Sequence, residues 1–303
     1  MTKMPNHKYH PSSELQSRRS ALLLATALVS SLALSSCATT PADTAAIAGT
    51  PATTAKAQAA PKPPTAEQSE SALREAAVTS TKTQDYVAAA AYWGSLYDRN
   101  GDDAEAGLNY SKSLRQIGSV AQALTVMQRI QQIKPDDAGV LSEYGKALAA
   151  TGHPDQAEGV LNRAHELKPD DWTVLSAQGV TLDQLGRYKD AQSKYAEALK
   201  ISPDNPSVLT NLGLSLAIDG DLTGAESTLR KAVSNPKAAA SARQNLSVVL
   251  GLQGKFDEAT RLARADLPLN VADNNIAYLR EMLTQPALWK QMESLDKGNS
   301  ATP

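Results

Sequence analysis

The sequence predicts an all-α solenoid of stacked helix–turn–helix units, because three residue types recur in columns with a fixed period. Glycine recurs every 34 residues through five copies, alanine stands five residues after each glycine, and leucine stands four residues before it. A fixed period in this range is the signature of a repeat array, in which each unit buries its apolar face against its neighbours. The glycines are Gly118, Gly152, Gly186, Gly220 and Gly254; the alanines are Ala123, Ala157, Ala191, Ala225 and Ala259; the leucines are Leu114, Leu148, Leu182, Leu216 and Leu250.

Each column has a steric role in a pair of packed helices. When Ala104 is taken as position 1, glycine falls at position 15, where a left-handed residue ends the first helix. Small residues at positions 8 and 20 predict close contact between two helices, and proline at position 32 predicts the end of the second helix. Position 8 holds Ser111, Gly145, Gly179, Gly213 and Ser247; position 24 holds Met127, Leu161, Tyr195, Leu229 and Ala263; position 32 holds Pro135, Pro169 and Pro203, with Pro236 one residue early.

The pattern resembles the tetratricopeptide repeat (TPR), which has small residues at positions 8, 20 and 27 and proline at position 32. Position 27 is alanine in the three middle copies, whereas the terminal copies depart from it, as terminal repeats do. These residues are Ile130, Ala164, Ala198, Ala232 and Asp266. The resemblance implies about six units over residues 68–272, the first of them degenerate. A capping helix over residues 273–293, broken at Pro286 with Trp289 packing beyond it, and a flexible tail over residues 294–303 complete the predicted organisation.

The first residues predict export and lipid anchoring. A basic stretch is followed by an apolar run from Ala21 to Leu34 and then by Leu34-Ser35-Ser36-Cys37, an order that resembles a bacterial lipoprotein signal. That resemblance implies a signal peptide over residues 1–36 and a lipid (thioether and palmitate-type acyl chains) on Cys37; the alternative is an ordinary signal peptide with a chance cysteine. Ala38, in place of aspartate, implies the outer membrane, facing the periplasm. Residues 37–67 are rich in Ala, Thr and Pro, which predicts a disordered tether.

Composition argues against several classes of function. The formal net charge of -2 leaves no basic footprint for nucleic acid, and a single cysteine excludes an intrachain disulfide. Of the four histidines only His153 and His165 lie outside the predicted signal peptide, and no carboxylates are spaced to complete a metal or catalytic site with them. We therefore expect no enzyme, no metal and no cofactor apart from the lipid.

The expected function is protein binding on the surface that the first helices form. The TPR resemblance implies that positions 2, 5, 6, 9, 12 and 13 of those helices line a groove for a protein or peptide. Basic side chains in the N-terminal half suit an acidic segment or a carboxylate, and asparagine can bond an extended backbone; the alternative is a solvated face without a ligand. The candidate groove residues are Asn109, Lys112, Arg115, Glu143, Lys146, Asp183, Asn211 and Asn245.

The C-terminal part narrows the resemblance further. Residues 243–293, with RQNLSVVLGLQGKFDEA, ADLP and NNIAYLREML before a late tryptophan, are similar to lipoproteins of tight-adherence (Tad, Flp-type) pilus assembly. This implies a pilotin-like scaffold at the outer membrane whose partner is a secretin or another assembly component. The alternatives are a TPR lipoprotein of another envelope system, such as type IV pilus or secretin targeting, protein secretion or outer-membrane biogenesis, and an envelope enzyme with an accessory TPR region.

Overall fold

A computed structural model describes residues 66–284 of the chain, which form thirteen α-helices and contain no strand. The predicted signal peptide, Cys37, nearly all of the tether, and residues 285–303 with Pro286 and Trp289 lie outside the described residues. The helices are α1 Ala66–Lys82, α2 Tyr86–Arg99, α3 Ala104–Gln116, α4 Val120–Ile133, α5 Ala138–Ala150, α6 Pro154–Leu167, α7 Trp172–Gln184, α8 Tyr188–Ile201, α9 Pro206–Asp219, α10 Leu222–Val233, α11 Ala240–Leu252, α12 Phe256–Ala263 and α13 Leu269–Thr284.

The twelve helices α1 to α12 form six antiparallel pairs, and α13 follows the last pair. Each helix contacts the next one along the chain, and from α3 onward each first helix also contacts the first helix of the following unit. The helices α3, α5, α7, α9, α11 and α13 therefore stack side by side as one wall of the array. The predicted all-α TPR-type solenoid is confirmed.

The glycine column has the predicted left-handed backbone. Gly118, Gly152, Gly186, Gly220 and Gly254 all have φ between 73° and 98°, which an L-residue with a Cβ adopts only with strain. The N-termini of α3, α5, α7 and α9 are capped by an aspartate or asparagine. In each case the capping side chain accepts a hydrogen bond from a backbone N–H of the first turn. These caps satisfy donors that the helix itself leaves free, so each first helix has fixed limits.

Small residues at position 8 are required by the large side chains at position 24. A Cβ added at Gly145 would lie 2.6 Å from Cγ of Leu161, and one added at Gly213 would lie 2.6 Å from Cγ of Leu229. The alanines of position 20 are all fully buried. The columns at positions 8 and 20 are thus confirmed as helix contacts inside the units, and where a large side chain fills position 24 no volume remains beside it for another role.

The first pair of helices and the last helix of the array each have a buried aromatic or aliphatic contact. At the N-terminal end, the buried Trp93 of α2 donates its Nε1–H to Oγ1 of Thr81 at 3.0 Å. At the C-terminal end, Ile276 and Leu279 of α13 join a buried cluster with Leu250 of α11. In the part of the chain that the structure describes, no helix is both long and apolar enough to cross a lipid bilayer.

Candidate functional site

The candidate site is the wall of first helices, called here the groove wall and formed by α3, α5, α7, α9 and α11. All eight candidate residues lie on these helices. Asn109, Lys112 and Arg115 are on α3, Glu143 and Lys146 on α5, Asp183 on α7, Asn211 on α9 and Asn245 on α11. Their neighbours divide them into an N-terminal charged cluster, a single acid near the middle, and amides.

The centre of the charged cluster is an ion pair between two units. Arg115 Nε donates to Glu143 Oε1 at 2.7 Å, and Arg115 Nη2 donates to Glu143 Oε2 at 3.0 Å. Glu143 is 1% exposed and also accepts a hydrogen bond from Ser111 Oγ at 3.2 Å. A buried carboxylate with this bidentate partner is fully compensated. Arg115 and Glu143 therefore satisfy each other, and Arg115 adds little net charge to the groove wall.

Two lysines provide the net positive charge of this cluster. Lys112 is exposed, and Lys146 is half-buried and donates from Nζ to Oγ1 of Thr173 at 3.1 Å. Burial lowers the pKa of Lys146 to about 8; the charges of Arg115 and Lys112 lower it too, whereas Glu143 and Asp171 act in the opposite direction. Lys146 therefore remains largely charged at neutral pH. The three cations face two carboxylates, Glu143 and Asp171, so the net charge of the cluster is positive.

The acid near the middle of the wall has no cationic partner among the described residues. Asp183 accepts hydrogen bonds from Ser215 Oγ at 2.6 Å and from Tyr195 Oη at 2.8 Å. Burial raises the pKa of Asp183 to about 6, the two hydrogen bonds lower it, and the negative charge of Asp219 adds to the increase. Its contacts join α7, α8 and α9, so Asp183 is also part of the packing between two units.

The asparagines differ in their availability to a ligand. Asn109 donates from Nδ2 to the carbonyl of Glu105 in its own helix at 3.0 Å. Asn211 donates to Ser176 Oγ at 3.3 Å and so connects α9 with α7. Asn245 is half-buried on α11. The predicted capture of a peptide backbone by these amides would require the first two to exchange hydrogen bonds that they already make.

The C-terminal end of the wall contains a cavity of about 450 Å³. It lies between α11, α12 and α13, and its lining consists of neutral residues. Ala263 forms part of it at position 24, where the units before it carry methionine, leucine or tyrosine. The lining residues are Gln244, Ser247, Val248, Ala263, Leu267, Asn274, Asn275, Ile276, Tyr278 and Leu279.

Sequence reasoning missed several members of this site. Ser111, Thr173 and Ser215 bond the charged groups across unit boundaries, and Tyr195 adds a hydroxyl donor to its predicted role in packing. The sequence does contain a signal for the cavity, since Ala263 is the single small residue in the position 24 column. The serine and threonine contacts have none, because the sequence alone does not show whether a hydroxyl meets a partner or solvent.

Two further observations on the described residues bear on chemistry other than binding. Among residues 66–284, no group of three or more His, Cys, Asp or Glu side chains is arranged to hold a metal ion. A second, polar cleft of about 430 Å³ lies between α6 and α8, and its charged side chains pair with one another: Arg187 with Glu158 and Asp190, and Lys194 with Glu197. Helix pairs stacked around an open wall define a protein-interaction scaffold.

Comparison with known proteins identifies the type of repeat. Models of the tetratricopeptide repeat match residues 82–138 and 176–243, residues 118–178, and residues 239–269. The matched stretches together run from residue 82 to residue 269, and the chain therefore belongs to the tetratricopeptide-repeat family. No curated protein matches the chain.

Solved structures share the fold at low sequence identity. A thermophilic TPR protein from Thermus thermophilus has a TM-score of 0.53 and 21% identity, and the match covers 60% of this chain and 98% of the other. PilW, described as a widely conserved type IV pilus biogenesis factor, has a TM-score of 0.54 and 18% identity, covering 65% of this chain and 92% of its own. At these identities the similarity establishes the fold alone.

Proposed function

We propose that this protein is a non-enzymatic TPR lipoprotein that holds a protein partner on its groove wall at the outer membrane, in the assembly of a Tad/Flp-type pilus. The observation that carries the binding role is the pair of lysines on the wall. Lys112 is exposed, Lys146 stays largely charged at neutral pH, and Glu143 is already neutralised by Arg115. The wall therefore offers net positive charge to an acidic partner segment.

The envelope location rests on the sequence. The basic stretch, apolar run and Leu34-Ser35-Ser36-Cys37 support lipidation of Cys37, and the tether would let the folded array extend from the membrane. Anchoring and groove together would raise the local concentration of a bound subunit at the membrane. Cys37→Ser should release the protein from the membrane fraction and abolish its labelling by palmitate.

The pilus assignment rests on the resemblance of residues 243–293 to the Tad assembly lipoprotein TadD, and the partner we propose is a secretin or another assembly component. A second candidate is a TPR factor of type IV pilus biogenesis, because PilW shares the fold. Deleting the gene and scoring Tad-type and type IV pili separately by electron microscopy distinguishes the two systems. Loss of type IV pili alone would replace the first assignment with the second.

The groove is tested by capture of envelope proteins before and after removal of its charge. The double variant Lys112→Gln and Lys146→Gln should lose at least ten-fold of the affinity for its partner in detergent extracts. A matched control is Lys134→Gln with Lys200→Gln, since these lysines are also exposed but lie away from the groove wall, Lys200 within α8 and Lys134 directly after α4. Equal capture by both double variants would show that the partner binds elsewhere.

A further inference from the structure

The cavity at the C-terminal end lies where the fifth unit lacks a large side chain that the units before it have. In the units before it, position 24 is filled by Met127, Leu161, Tyr195 and Leu229, each fully buried. In the fifth unit the residue is Ala263, and a cavity of about 450 Å³ lies beside it. The other units thus show which kind of side chain fits this place: an aliphatic or aromatic one of about the size of leucine or tyrosine.

The cavity is continuous with the groove wall. Gln244 and Val248, which line it, are at positions 5 and 9 of α11, both of which belong to the groove positions. Position 9 changes character along the array from Lys112 and Lys146 to Val180, Leu214 and Val248. One end of the wall is therefore positively charged, and the other end is neutral and apolar. The apolar lining is bordered by the amides of Gln244, Asn274 and Asn275.

We infer that the groove wall binds an extended partner segment with acidic residues at one end and a leucine-sized or aromatic side chain at the other, which enters this cavity. The inference rests on the proposed function, and it adds the chemistry of the partner. Charge complementarity sets the orientation, because acidic groups are attracted to Lys112 and Lys146 whereas the lining of the cavity has no charge to offer. Burial of one large apolar side chain in a matching pocket is how a few residues come to dominate an interface.

The geometry also sets the spacing between the two features. Packed helix axes lie about 8–10 Å apart, so the three steps from α5 to α11 cover about 24–30 Å. An extended chain advances about 3.3 Å per residue, which places the apolar side chain about 7 to 9 residues from the acidic group that faces Lys146. A segment that carries both features closer together cannot reach both ends of the wall.

The test is selection of peptides from a phage-displayed library of random 16-residue sequences, with the purified full chain in detergent as the target. Selected peptides should share an acidic residue and a Leu, Phe, Tyr or Trp separated by about 7 to 9 residues. The synthetic form of the most enriched peptide is then the probe for fluorescence anisotropy. Selected peptides without the apolar residue, or with no fixed spacing, would overturn the inference.

Variants of the cavity separate this inference from the proposed function. Ala263→Leu occupies part of the cavity with the residue found at position 24 in other units and should weaken the probe at least ten-fold, whereas Ala196→Leu on the exposed side of α8 should not. Circular dichroism shows whether Ala263→Leu still folds. If it does not, Val248→Gln at the half-buried rim of the cavity is the second variant to test. If Lys112→Gln with Lys146→Gln lowers the affinity for the probe while both cavity variants bind it normally, the proposed binding by the groove wall is supported and the cavity has no role in it.

The chain's own C-terminal segment is the competing occupant. Helix α13 lines the cavity, and residues 285–303 follow this helix in the sequence. They include Leu288 and Trp289. Replacing Leu288 and Trp289 with alanine should leave the affinity for the probe unchanged if a partner is the occupant. A ten-fold gain in affinity would instead assign the cavity to this segment and overturn the inference.

Discussion

Glu143 and Asp183 are acids on the same groove wall, but within residues 66–284 only Glu143 has a cation beside it. Arg115 and Glu143 are at positions 12 and 6 of consecutive units, 28 residues apart, and they form a bidentate ion pair. The equivalent pair two units later is Asp183 and Asn211. Asn211 donates to Ser176, and Asp183 accepts hydrogen bonds from the hydroxyls of Ser215 and Tyr195.

Equivalent junctions between units therefore stabilise a buried or partly buried carboxylate in two different ways. In the first, a buried charge is neutralised and contributes to a fixed junction between two units. In the second, a partly buried carboxylate is solvated by hydroxyl groups alone, so its ionisation depends on pH. A repeat fold keeps the geometry constant and lets single residues change the charge, which makes the two junctions a matched comparison.

The largest expected effect is the loss of the cation at the first junction. Arg115→Met leaves the carboxylate of Glu143 buried without its partner, and we expect the free energy of unfolding to fall by about 2–3 kcal/mol. Urea denaturation followed by circular dichroism measures it. Adding Glu143→Gln should recover much of the loss, because a neutral amide tolerates burial better than an unpaired charge.

The control for this effect is an ion pair at the surface. Arg129 and Asp102 lie 2.9 Å apart, but both side chains are more than half exposed. Arg129→Met should leave the unfolding midpoint nearly unchanged, as exposed pairs are screened by solvent. An equal loss from Arg115→Met and Arg129→Met would show that the burial of Glu143 has no energetic consequence.

The second effect concerns the acid without a cation. The folded-state pKa of Asp183 is raised to about 6, above the value of about 3.9 in an unfolded chain. The folded state then binds more protons than the unfolded state between these values, so stability falls as the pH rises from about 4 to 6 and stays lower above that. Asp183→Asn should stabilise the protein by about 1–2 kcal/mol at pH 8, after allowance for solvent screening, and give little gain at pH 4.

Thermal melts of the wild type and Asp183→Asn across this pH range measure the difference. Tyr195→Phe is a useful companion variant, because it removes one hydrogen bond to the carboxylate while it preserves the packing of the ring. It should raise the pKa of Asp183 further and move the pH-dependent change in stability upward. A constant difference between Asp183→Asn and the wild type at every pH would mean that Asp183 titrates as it does in the unfolded chain.

Periodicity was sufficient to predict the fold, whereas the site depends on contacts that the period does not encode. The glycine, alanine and leucine columns are steric requirements of every unit, so each is repeated and each predicts the same contact. The link from Arg115 to Glu143 occurs once, between helices whose residues are 28 apart in sequence. Nothing in a single sequence distinguishes that pairing from two solvated side chains, and the same applies to Ser215 and Asp183. Ala263 is an intermediate case. The sequence shows that it departs from the position 24 column, but only the packing of the helices shows that a cavity lies beside it.

The smallest expected effect concerns Lys146, whose folded-state pKa is lowered to about 8, below the value of about 10.4 in an unfolded chain. The unfolded state then binds more protons between these values, so stability should rise by about 1 kcal/mol as the pH increases from 8 to 10. Lys146→Met, which has no charge to lose, should remove that increase in urea titrations at the two pH values. Lys200→Met is the matched control, because Lys200 is exposed on a second helix and its replacement should leave the increase intact. If the increase persists in Lys146→Met, another group is responsible, and the charge of Lys146 at the groove wall is less sensitive to pH than its burial implies.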